Sequence, residues 1–141
     1  MGDLRGKSLE QNYKENARAY FAKILRKIRV ISKQQLADLL EDILEPEQLK
    51  DALLIDLVIK GKPRISEINE IWLAIEISTV IDRHDVLRSL RRSQLIQQTG
   101  NITIPVVAGE AITGGATIEA KNLKVVVVQP GEIDFWELAI S

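Results

Sequence analysis

The sequence predicts an α/β fold: a small central mixed sheet flanked by helices, with a helical part at the N-terminus. Three observations lead there. Residues 51–60 and 71–78 are β-rich and apolar on both faces, as strands are in a sheet covered on both sides. From 82 to 128, helix and strand signals alternate with short links, the arrangement of parallel strands joined by right-handed crossovers. The 141 residues contain no internal repeat and no low-complexity tract, so the chain reads as one domain able to bury its own core. Within it, 1–50 is the helical N-terminal part, 51–128 the αβ core and 129–141 a tail.

Taken in order, Ser8 with Gln11 three places on forms a capping-box start. Leu9, Tyr13, Ala17, Tyr20, Phe21, Ile24 and Ile28 follow at helical spacing, which predicts a helix over 9–29. Ser32 and Gln35 mark a second start, with Leu36, Leu39, Leu40 and Ile43 as its stripe. Pro46 ends that helix and opens one more turn. The strands 51–60 and 71–78 are joined through Gly61-Lys62-Pro63 by a link short enough for an antiparallel hairpin. Asp82 as N-cap, Asp85 in the first turn and Gly100 beyond the end predict a helix over 83–98. Its buried stripe is Val86, Ser89, Leu90 and Ser93, and the two serines imply close approach to the sheet. Residues 102–108 form the next strand, where Pro105 lacks a ladder donor and so predicts an edge, a bulge or a strand end. Gly114-Gly115 leads into a short helix near 116–121, and 125–128 is a last buried strand closed by Pro130-Gly131. The tail carries Phe135 and Trp136 among acids, apolar groups suited to covering a sheet edge or a second subunit.

Composition removes several chemistries. There is no cysteine, which excludes disulfides, thiolate zinc sites and cysteine nucleophiles. His84 is the sole imidazole and falls in the first turn of a helix, a surface position before it is a general acid. Six aromatics are too few for a base-stacking platform. No apolar stretch approaches the ~20 residues of a membrane span, and the opening residues hold no apolar leader, so the expected location is the cytoplasm. The net charge of −1 gives no global positive field. Charge is nevertheless sorted. Residues 1–33 carry nine basic side chains and three acids, a charge of +6; residues 34–56 carry seven acids and only Lys50, a charge of −6. Such segments pair internally or with another copy, or stand as two solvated faces.

Asp56 and Glu76 are the informative residues. Each lies in an otherwise apolar β segment, where a carboxylate loses hydration worth several kcal/mol unless something compensates it. Twenty residues apart across a hairpin, they fall opposite each other. A shared Mg²⁺, which prefers carboxylate oxygens, is one compensation. An arginine of the following helix for each acid, at a strand mouth, is the other.

The order of motifs resembles the PD-(D/E)XK nuclease superfamily, in which an Asp on one strand is followed on the next by an acid, any residue and Lys. Asp56 and Glu76-Ile77-Ser78 match, set in Ile55-Asp56-Leu57-Val58 and Leu73-Ala74-Ile75-Glu76-Ile77. A prokaryotic branch of that superfamily is also similar at Gly6-Lys7-Ser8-Leu9-Glu10, Ala19-Tyr20-Phe21, Asp85-Val86-Leu87-Arg88-Ser89, Arg92-Ser93 and Ile104-Pro105-Val106-Val107-Ala108-Gly109-Glu110. The resemblance implies a restriction-endonuclease-like core, Mg²⁺ or Mn²⁺ held by Asp56 and Glu76, and Glu10 of the first helix as an auxiliary acid. It also implies a strand ahead of the Asp-bearing one, where the periodicity reads helix. Ser78 stands in place of the motif Lys and brings no charge. At i and i+2 it shares a strand face with Glu76. Arg88 and Arg92, one helical turn apart, are the replacement cations, whereas Lys60 lies four residues from Asp56, ~13 Å along the strand. Three functions follow: a metal-dependent nuclease acting on DNA or RNA, a non-catalytic relative that binds nucleic acid or a protein partner, and a self-associating module, a homodimer driven by the opposite charges and the tail.

Overall fold

A computed structural model describes residues 2–141, with side chains from residue 9 onward. Six strands form one mixed sheet: β1 (Leu25–Ile31), β2 (Leu57–Pro63), β3 (Ile71–Ile77), β5 (Thr103–Ala108), β7 (Val126–Gln129) and β8 (Glu132–Asp134), adjacent in that order. A two-stranded ribbon of β4 (Val80–Ile81) and β6 (Ala111–Ile112) lies apart from it. β1, β2 and β3 run antiparallel in sequence, β3, β5 and β7 are parallel neighbours, and β8 returns antiparallel. Among the described residues seven α-helices flank the sheet: α1 (Gly2–Glu15), α2 (Ala17–Phe21), α3 (Lys33–Leu40), α4 (Pro46–Leu53), α5 (Arg83–Ile96), α6 (Gly114–Leu123) and α7 (Trp136–Ile140). The expected α/β class with a mixed central sheet is the one found.

Alternation along β3 divides the core. Ile71, Leu73 and Ile75 pack with Tyr13 of α1, Ala17 and Phe21 of α2 and Trp136 of α7. Trp72 and Ala74 face the other way, with Leu36 and Leu40 of α3, Ala52 of α4 and Ile96 of α5. Glu76 continues the second row, so period-2 geometry alone puts its carboxylate on the α5 side.

The N-terminal reading is corrected. The helix expected over 9–29 stops at Phe21, and Leu25–Ile31 is β1, the strand that the resemblance required ahead of Asp56. The helix start expected at Ser8 is corrected too, since Ser8 lies within α1; its side chain, with that of Lys7, is outside the described residues. The second start is as read: Ser32 Oγ accepts the Gln35 N–H at 3.1 Å and Gln35 Oε1 accepts the Ser32 N–H at 2.9 Å. Pro46 opens a full helix of eight residues, α4, so 51–53 are helical and the strand begins only at Leu57. The hairpin is antiparallel as expected, with Leu57 opposite Ile75. Pro105 lies in a central strand, yet β7 reaches only Val106 of β5. Even-numbered residues of β5 bond toward β3, starting from Trp72 N–H to Ile102 O at 2.8 Å, so Pro105 turns its missing donor to a stretch that is a local edge. The tail covers the sheet edge: β8 pairs with β7 around Pro130-Gly131, and Trp136 is buried in the chain's own core.

Gly109 sits where β5 ends against the turn after β3. A Cβ there would overlap the Ser78 carbonyl oxygen and meet Ile81 Cγ1 at 3.0 Å. Gly109→Ala therefore has to displace backbone, and we expect it to lower the stability by about 3 kcal/mol in urea titration.

Candidate functional site

The β2–β3 register that sets Leu57 against Ile75 carries Asp56, the residue before β2, across from Glu76. Asp56 is anchored there because its Oδ2 accepts the Ile77 backbone N–H at 2.8 Å. The two acids thus meet at the end of the hairpin, as the spacing of the sequence predicts.

Opposite Glu76 runs α5, started by a reciprocal cap: Asp82 accepts the Asp85 N–H at 3.0 Å, and Asp85 Oδ2 accepts the Asp82 N–H at 2.9 Å. This start fixes the phase of the helix, which delivers Arg88 and Arg92 to one flank. Arg92 Nη1 donates to Glu76 Oε1 at 2.9 Å, and Arg88 Nε donates to the same oxygen at 3.3 Å. Arg88 Nη2 is held by Asp85 Oδ1 at 2.5 Å. Arg92 also reaches Asp51 Oδ1 on α4 at 3.2 Å and the Leu54 carbonyl at 3.4 Å. Arg91 clasps both oxygens of Asp51, at 2.7 and 3.0 Å, and with Arg92 holds that carboxyl below the usual carboxylate range.

Glu76 is 4% exposed, and its second oxygen, Oε2, is buried with no hydrogen-bond partner. Among the described residues the only other such side-chain atom is Trp136 Nε1. Burial first and the nearby Asp56 second push the Glu76 carboxyl above its ordinary value, against the pull of both arginines. Burial likewise raises Asp56, opposed by the Ile77 N–H and by Lys33. Two guanidiniums on one oxygen therefore leave the carboxylate pair under-compensated. The alternative of one arginine for each acid holds for Glu76 Oε1 alone, because Asp56 takes a backbone N–H instead.

The remaining candidates fall unevenly. Glu10 on α1 is raised by burial and then by Asp56, which puts it in electrostatic reach of the pair. Among the described residues no group of three or more Asp, Glu, His or Cys is disposed to hold a metal, so the pair stands as two acids, with Glu10 in electrostatic reach only. Ser78 is past the end of β3 and its hydroxyl donates to the Val80 carbonyl at 3.0 Å. The expectation that it points toward the site because it shares a strand face with Glu76 is corrected on that ground. Lys60 lies 3.8 Å from Glu70 and stays away from Asp56, as distance along the strand predicts. His84 is exposed.

Lys33 was not among the sequence candidates. It is the first residue of α3, and its ammonium donates to the Leu53 carbonyl at 2.6 Å and to the Ile55 carbonyl. Burial lowers its pKa, while Asp56, Glu10 and Glu76 pull it back up. A cation at the first position of a helix opposes the helix dipole, and that local misfit was the available signal.

No protein-family model, curated protein or solved structure matches this chain. Among the described residues, no helix is long and apolar enough to cross a membrane.

Proposed function

We propose that the protein is a metal-dependent nuclease of the PD-(D/E)XK type, hydrolysing phosphodiester bonds of DNA or RNA in the cytoplasm with Mg²⁺ or Mn²⁺ held by Asp56 and Glu76. The observation that carries this reading is the buried, unpartnered Glu76 Oε2 beside a second desolvated carboxyl. Hard divalent cations prefer such oxygen donors, and one between the two acids would relieve both the lost hydration and their mutual repulsion. The β1 strand ahead of Asp56 supports it further. When bound, the ion supplies Lewis-acid activation of water and neutralises charge building on the phosphate.

The chain's own groups have distinct tasks. Arg92 and Arg88 grip Oε1 and so fix Glu76 with Oε2 free. The Arg88 side chain is 41% exposed, and its remaining guanidinium N–H groups can meet a phosphate oxygen. As arginines they stay protonated and serve as charge and hydrogen-bond donors, never as bases. Lys33 stands near Asp56 as the cation that Ser78 does not provide, and Glu10 is an auxiliary acid.

Calorimetry with Mn²⁺ and Mg²⁺ and metal-dependent nicking of plasmid test this reading. Heat and nicking that vanish in Asp56→Ala support it; no heat with either metal removes it. A second reading, a relative that binds nucleic acid without cutting it, draws on Ser78, whose hydroxyl is spent on Val80. It predicts salt-sensitive binding with no product.

A further inference from the structure

Three adjoining depressions run along β1, the free edge of the sheet. The first, about 300 Å³, lies between Lys14 of α1, the end of β1 with the start of α3 at Lys33, and Asp56 just before β2. The second, about 380 Å³, shares Lys14 and Val30 with the first and adds Arg18 and Arg29. The third, about 780 Å³, shares Arg18 and Arg29 and ends at Arg64. Together they make one groove that reaches Asp56 of the carboxylate pair. Seven cations line it against two acids, Glu15 and Asp56. Six of the nine basic residues of 1–33 are therefore gathered along one groove.

Among the described residues that charge is not closed into ion pairs with the acidic segment, although Lys33 feels Asp56 and Lys14 feels Glu10 at longer range. None of the ion pairs within 4.0 Å between described residues joins the groove's cations to the acidic segment 34–56, whose Asp51 pairs with arginines of α5 instead. Of the three readings of the sorted charge, internal ion pairing within 4.0 Å is not seen among the described residues. At the mouth by Asp56, Lys33 spends two of its three N–H donors on the Leu53 and Ile55 carbonyls and keeps one. A row of cations with no ion-pair partner among the described residues, set along the edge of the sheet, suits a polyanion, and phosphate contacts of this kind position a chain without reading its bases.

We infer that this groove is the track for the phosphate backbone of a nucleic acid, with Lys14 and Lys33 holding the phosphodiester next to Asp56 and Arg29 and Arg18 holding the strand beyond. The inference rests on the nuclease reading for what happens at the end of the track, and stands apart from it for binding.

The test uses the full chain in EDTA with a fluorescein-labelled 20-nucleotide single strand, and separately its duplex, followed by anisotropy from low to moderate salt. Lys14→Gln and Arg29→Gln, both exposed, are expected to weaken binding roughly three- to tenfold each and to flatten the plot of log K against log salt by about 0.7–0.9 per charge removed. Lys121→Gln on α6, beside β7, is the charge-matched control and leaves both unchanged. Affinity and slope in Lys14→Gln and Arg29→Gln equal to wild type would overturn the track. So would a chain that binds neither probe but forms a salt-sensitive dimer, which would give the groove to the acidic segment of a second copy. Binding lost as predicted without metal-dependent nicking keeps the track and removes the nuclease; nicking with unaltered binding does the reverse.

Discussion

Arg92→Leu is expected to destabilise the protein by about 3–5 kcal/mol, because it strands a buried charge. Arg92 is 7% exposed and joins three elements, donating to Glu76 on β3, to Asp51 on α4 and to the Leu54 carbonyl. Without it, Glu76 keeps only the more distant Arg88 at 3.3 Å. Urea denaturation measures the loss, and the double variant Arg92→Leu/Glu76→Leu should recover most of it, since a buried ion pair exchanged whole for apolar groups is often nearly neutral. Arg88→Leu, with its side chain 41% exposed, should cost no more than about 1 kcal/mol. Equal losses for Arg88→Leu and Arg92→Leu would mean that burial does not separate the two arginines.

Asp56→Asn should act in opposite directions with and without metal. The folded protein holds the Asp56 and Glu76 carboxyls above their ordinary values, mainly through burial. It therefore binds more protons than the unfolded chain, and stability falls as pH rises from the unfolded pKa values through the raised ones. Above that window both acids are ionised at a cost. Asp56→Asn keeps an oxygen for the Ile77 N–H but removes one charge, so the metal-free protein should gain on the order of 1 kcal/mol at pH 7. Wild type should in turn gain about 2.7 kcal/mol from Mn²⁺ at one hundred times its dissociation constant, and Asp56→Asn should gain almost nothing. Thermal melts in EDTA and in Mn²⁺ read both effects. A variant that is less stable in EDTA, or that keeps the Mn²⁺ gain, would contradict the shared-cation account of the pair.

How much was legible differs by element and for definite reasons. α5 could be read because each end announces itself locally: the Asp82–Asp85 box at one end and Gly100 at φ 93° after the terminal turn at the other. β1 was hidden by its own irregularity. Its register shifts between Arg26 and Arg29, with Lys27 at φ 55°, so the buried residues are Leu25, Ile28 and Ile31, three apart. That spacing imitates a helix and extends the genuine stripe ending at Phe21. Asp56 and Glu76 were found because their antiparallel pairing depends only on distance along a hairpin. Lys33 was not, because the carbonyls that hold it lie twenty and twenty-two residues away on a turn that only the packing of α4 defines. The sorted charge was visible, but where its two halves face depends on β1 being a strand.

The kink in β1 also protects the molecule from its own kind. A flat outer strand offers unpaired amides and carbonyls on which neighbouring molecules build cross-β stacks. Here one rim of the sheet is broken by the displaced register and Lys27, while the opposite rim, β8, is only three residues long. Neither gives a newcomer enough straight backbone to zip onto. The protein should accordingly stay free of thioflavin-positive fibrils at high concentration, and any assembly it forms should be built from side chains.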